Sequence, residues 1–74
     1  MVVGGYEMFE GAILMRSFEN EYFLEGTVLM ENDNYHIQLS KAEDRKRWGE
    51  YTTIRFMDII EVYVKEDGKY REYN

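Results

Sequence analysis

Cysteine and proline are both absent from this chain of 74 residues, and there is one histidine, one tryptophan and two serines. Without cysteine there are no disulfides, no thiolate nucleophile and no Cys-ligated zinc. Without proline every residue can donate to a strand ladder. Nucleophilic catalysis needs a base beside its nucleophile. The only histidine, His36, lies four residues from Ser40 on an expected strand, about 13 Å away at the usual rise, so the two do not meet. Carboxylates are numerous, but a flat strand face offers no enclosed pocket to shift their pKa values. Glu31-Asn32-Asp33-Asn34 lacks the spaced acids, the glycine and the closing Glu of a calcium loop and reads as a polar turn. No catalytic residue, metal site or cofactor is therefore expected. No run approaches the roughly 20 apolar residues of a membrane helix, and Met1–Glu7 lacks the charged start and apolar centre of a signal peptide. The expectation is a cytoplasmic protein with no membrane partner.

What is present is acid, aromatics and alternation. The net charge is −6. Residues 1–37 hold seven acids against Arg16 alone, whereas residues 38–74 balance. That asymmetry opposes a phosphate backbone and favours a basic protein surface. Tyr, Phe, Val and Ile dominate the apolar set, which favours strands.

Glu21–Glu31 carries the clearest period of two: Tyr22, Leu24, Gly26, Val28 and Met30 on one face, Glu21, Phe23, Glu25, Thr27, Leu29 and Glu31 on the other. Ala12–Phe18 precedes it as a second strand, with Glu19-Asn20 as the hairpin turn. Tyr35, Ile37 and Leu39 point inward from the next strand. The charged segment 41–50 is a helical turn or a long loop. Tyr51–Phe56 alternates with Thr52, Ile54 and Phe56 together. Met57-Asp58 connects to Ile59–Lys65, where Val62 and Val64 are expected in the core. Asp67-Gly68 signals a type I′ hairpin into a short last strand. One domain, 1–74, is expected: an arm, short strand or helical turn over 1–9, a barrel over 10–66, and a turn and strand over 67–74.

Residues 11–64 resemble the Sm-like family. Gly26, Val28 and Leu39 match its first motif, with Asn32 in place of the acid and His36 in place of the Asn. Ile54-Arg55, Ile59 and Val62 match its second, with Phe56 in place of the glycine. The resemblance implies an all-β fold, a small five- to six-stranded Sm-like/SH3-like barrel, into which the 41–50 segment fits as a short helical turn or as a loop. It also implies an RNA-base pocket of which only Arg55 is retained, and rings formed by edge-strand pairing. In charge the chain resembles the acidic Sm-like inhibitors of the transcription terminator Rho, which cover a basic RNA-binding surface.

Three functional expectations follow. The first is a non-enzymatic module that binds a basic protein partner through Glu21, Phe23, Glu25, Leu29 and Glu31, an acidic face with apolar anchors, acting as an inhibitor or regulator of a nucleic-acid-binding protein. The second is an oligomeric ring that binds single-stranded RNA through Asn32, His36, Arg45, Lys46, Arg47, Trp48 and Arg55, cations beside a stacking ring. Glu43, Asp44 and Glu50 blunt that cluster, and the competing reading folds Trp48 back onto the core. The third is a structural subunit joined to copies of itself through edge strands. A chain this short, without disulfides and with 16% aromatic residues, is expected to form a homo-oligomer.

Overall fold

The computed structural model describes residues 2–3, 6–32 and 34–73. Its elements in chain order are β1 (Val2–Val3), β2 (Tyr6–Ser17), β3 (Asn20–Glu31), β4 (Asn34–Leu39), α1 (Ala42–Trp48), β5 (Tyr51–Arg55), a 3-10 turn (Phe56–Asp58), β6 (Ile59–Glu66) and β7 (Lys69–Glu72). The strands form one antiparallel sheet in the order β5-β4-β3-β2-β6-β7, with β1 beside the start of β2. The expected small, all-β, barrel-like fold is the one that forms.

The two longest strands, β2 and β3, make a hairpin paired from Tyr6↔Glu31 to Ser17↔Asn20. Gly11 faces Gly26 midway along it. A Cβ on Gly26 would lie 1.9 Å from the Gln38 carbonyl oxygen, and one on Gly11 would lie 2.0 Å from that of Tyr63. The glycine pair therefore lets β4 and β6 press close on the hairpin, where the sheet coils. A register shift between Leu14 and Met15 adds further twist beside β6.

Ile13, Leu24, Val28 and Ile37 are fully buried. Met15, Leu39, Ile54 and Val62 complete the core, with Phe9, Tyr22, Met30, Tyr35, Trp48, Ile59 and Tyr73 packed against it. The alternation expected for β3 and β4 is thus the one observed. The Asp67-Gly68 turn has positive φ at both residues, 53° and 76°, as a type I′ turn requires. Segment 41–50 resolves into α1, closed by the Gly49 N–H donating to the Arg45 carbonyl at 2.8 Å.

Of the alternatives for residues 1–9, strand is the one observed: Val2–Val3 is a short strand and residues 6–9 belong to β2, while Met1, Gly4 and Gly5 lie outside the described residues. Three expectations need correction. Phe56 is 66% exposed, because it opens the 3-10 turn, whose three-residue repeat breaks the alternation of β5. Val64 is half-buried, outside the core. It sits opposite Gly11, which offers no side chain to pack on.

The first hairpin turns at Phe18-Glu19, one residue earlier than expected, closed by the Ser17↔Asn20 pair. Of its two central residues Phe18 alone has positive φ, 58°. That is the pattern of a type II′ turn, whose first central position favours glycine. Phe18 is also 96% exposed, so no packing offsets the strain. Phe18→Gly is expected to stabilise the fold by about 0.5–1 kcal/mol, the left-handed penalty less glycine's extra unfolded-state entropy. Thermal unfolding would show this as a rise of a few degrees in Tm, and a fall would contradict the turn geometry.

Candidate protein-binding face

The outer side of β3 carries Glu21, Phe23, Glu25, Thr27, Leu29 and Glu31. The ladder sets Arg16, Leu14, Ala12, Glu10 and Met8 of β2 opposite the first five. On the far side of β2 stands β6, with Tyr63 beside Ala12, and β7 brings Tyr70 next to Lys65. Three aromatic rings consequently meet outside the core. Phe23 lies 5.6 Å from Tyr63 and 5.3 Å from Tyr70 between ring centroids. Ala12 is fully buried although it shares this face with Glu25 and Tyr63. Phe23 remains 42% exposed.

The acids of this face differ in their freedom. Glu21 pairs with Arg16 at 2.9 Å, and Glu10 accepts from the Thr27 hydroxyl at 2.7 Å. Glu31 is exposed and has no ion-pair partner among the described residues. Glu25 is fully engaged. Tyr70 Oη donates to its Oε1 at 2.6 Å, Lys41 Nζ sits 2.5 Å from its Oε2, and its carbonyl accepts from the Ser40 N–H at 3.0 Å. It ties β3 to the start of α1 and to β7, so it is a structural tie and its expected place as a solvent-facing acid is corrected. Lys41 first, and then Tyr70, hold the Glu25 carboxyl below its usual range. Burial, then the bond to Glu25, pushes the Tyr70 hydroxyl up to about 12.

A carboxyl with a lowered folded pKa stabilises above its unfolded value and loses that contribution as pH falls through the folded one. Glu25→Gln is therefore expected to lower stability at neutral pH and to flatten the acid limb of the stability profile below the ordinary carboxylate value of 4.5. Urea unfolding at a series of pH values checks this. An acid limb as steep as that of the wild type would contradict the tie.

The residues of the RNA alternative fall into two groups at opposite ends of β3. Arg45 donates to the carbonyls of Leu39 and Ser40, at 3.3 and 2.7 Å. Arg47 stacks its guanidinium on Tyr22, 5.2 Å from the ring centre. Trp48 packs edge-on to the same ring at 5.2 Å and against the core. Lys46 is exposed on the same helix. At the other end Asn32 occupies the β3–β4 turn with φ 53°, and Arg55, opposite Asn34, pairs with Asp58 at 2.9 Å. His36 Nδ1 lies 2.8 Å from the Thr53 hydroxyl. Most of these side chains are engaged within the chain, and the tryptophan packs inward where a stacking platform would face out.

Tyr63 and Tyr70 are the members of the aromatic cluster that alternation alone does not single out. With Val62 inward, Tyr63 had to face out, but nothing local says that β6 lies beside β2. Among the described residues no group of three or more His, Cys, Asp or Glu side chains is arranged to hold a metal, and no helix is long and apolar enough to cross a membrane. Comparison with family models, curated proteins and solved structures finds no match for this chain.

Proposed function

We propose that this chain is a non-enzymatic interaction module that docks the outer face of β3 onto a basic protein surface and regulates a nucleic-acid-binding partner by covering that surface. One observation carries the reading. Phe23, Tyr63 and Tyr70 form an aromatic cluster outside the core, with Glu10, Glu21 and Glu31 along its strands. Aromatic anchors within a charged rim are the usual anatomy of a protein interface. The acids add encounter rate and partner choice. The relationship to Sm-like barrels belongs to the same proposal. It is supported by the placement of its first motif on β3 and β4, with Gly26 in the close-packed glycine pair, and of its second across β5 and β6.

The test has two arms. Pull-down with mass spectrometry should recover a basic protein that the wild type retains and a Glu21→Lys, Glu31→Lys double variant loses. Filter binding to short single-stranded RNA at low and high salt should show only weak retention. Tight RNA binding that salt weakens, abolished by Arg55→Ala, would replace this reading with the RNA one.

A further inference from the structure

The two ends of the sheet are finished differently. At one end β7 covers β6 from Tyr63 to Glu66. It carries Lys69, Arg71 and Glu72 and is braced by an Arg71–Glu66 ion pair of 2.8 Å. Charged and short, it is an edge that resists addition of another strand. At the other end, among the described residues, β5 has no strand neighbour beyond β4. Its five residues, Tyr51-Thr52-Thr53-Ile54-Arg55, include no proline, no lysine and no inward charge. Three of them are β-branched, and the strand has one formal charge in a protein of net charge −6. Apart from Arg55 at its end, the strand carries no charge, no proline and no bulge to protect its open edge.

We infer that β5 pairs antiparallel with β5 of a second copy of this chain about a twofold axis at Thr53. Three features fit this occupant. First, the strand is complementary to itself. With Thr53 opposite Thr53, Tyr51 of one copy faces Arg55 of the other on the outer side, where the guanidinium can lie on the exposed phenol ring. Thr52 faces Ile54 on the inner side. Cross-strand Thr–Thr and β-branched pairs of this kind stabilise sheets. Second, the same register continues past the strand. It carries Phe56 and Met57, 66% and 78% exposed, onto Glu50 and Gly49 of the second copy, where the glycine leaves room for the methionine. Third, the contact closes after two chains. A head-to-tail arrangement would have to add β5 at the far end of the sheet, where β7 covers β6 from Tyr63 to Glu66 and presents its own short, charged edge. The isologous contact uses the same strand twice. It also leaves the outer face of β3 open on both copies.

Sedimentation velocity of the full chain over a wide dilution series tests the pairing. The wild type is expected to move between one chain and two. Thr53 is exposed and faces outward, so charges there are tolerated by the single barrel. Thr53→Lys sets two ammonium groups opposite each other, Thr53→Glu two carboxylates, and each should weaken the dimer roughly fivefold. An equimolar mixture of the two variants should restore it, because only a residue that faces itself across a twofold gives rescue by opposite charge. Tyr51→Lys, which sets a lysine against Arg55 of the second copy, should weaken the dimer as well and serves if a Thr53 variant fails to fold. A single-chain mass at every concentration would overturn the inference. So would a dimer unaffected by these changes, a mixture that fails to rescue, or a closed assembly of three or more chains.

Discussion

Gly26→Ala is expected to destabilise the protein by about 3 kcal/mol or more, the upper range for forcing atoms into a packed interior. A domain of this size holds only about 4–11 kcal/mol in total, so the variant should lose a large share of its stability. The cause is space. The added methyl carbon would sit 1.9 Å from the Gln38 carbonyl oxygen and 2.9 Å from its carbon. Both atoms are backbone, and neither can rotate away without moving β4. Gly11→Ala should behave alike, since its new carbon meets the Tyr63 carbonyl oxygen at 2.0 Å. Gly68→Ala is the control. Its φ is 76° and nothing lies within 4 Å of the added carbon, so only the left-handed penalty of about 1–2 kcal/mol applies. Urea unfolding of the three variants separates steric from conformational cost. Equal losses at Gly26 and Gly68 would mean that β3 and β4 do not approach as closely as described.

Leu24→Asp and Ile37→Asp should abolish folding, while Gln38→Asp should change stability by no more than about 0.5 kcal/mol, as exposed substitutions do. Leu24 and Ile37 are fully buried. They lie on the inner face among apolar side chains with no cation to pair with a new carboxylate, and an unpaired buried charge costs several kcal/mol. Gln38 follows Ile37 directly and is exposed on the opposite face. Far-ultraviolet circular dichroism on heating reads all three. A damaging Gln38→Asp beside a tolerated Ile37→Asp would place β4 one residue out of register and turn its two faces over.

The readable parts of this fold are those in which local chemistry and burial coincide. In β3 and β4 every second residue is apolar, and the sheet buries that set. Asp67-Gly68 offers the turn geometry that it adopts. Where the local signal misled, a longer-range effect decided. The Phe18-Glu19 turn contains no residue that favours positive φ; the full pairing of β2 with β3 places it there. Phe56 follows the alternation of β5 only until the 3-10 turn rotates it out. Tyr6–Phe9 mixes acid and aromatic residues without a clean period, and is strand because β3 pairs with it and Tyr73 stacks on Phe9 at 4.9 Å. Tyr73 also donates to the Glu7 carboxylate, so the residue that follows β7 fastens β2.

The same division holds for the candidate face. Its polarity and the outward direction of Glu21, Phe23, Leu29 and Glu31 follow from the alternation of β3. The role of Glu25 does not, because its partners Lys41 and Tyr70 are 16 and 45 positions away. Nor does the joining of Phe23 to Tyr63 and Tyr70, which depends on the β2–β6 and β6–β7 pairings. The basic segment shows the opposite case. Arg45–Trp48 has the composition of a nucleic-acid site, yet the fold uses Arg45 to hold carbonyls and Trp48 to cover the core.

The most direct measurement is the association and dissociation kinetics of the purified chain with the basic partner recovered by pull-down, followed as salt is raised. Glu21→Lys with Glu31→Lys should slow association most, and wild-type association should fall with salt, because complementary charge acts on encounter. Phe23→Ala should leave association nearly unchanged and speed dissociation about tenfold or more, as loss of a central aromatic anchor does. Glu25 is left intact so that the fold is not disturbed. Unchanged kinetics for both the charge-reversed and the Phe23→Ala proteins, with folding preserved, would contradict a binding face on the outer side of β3.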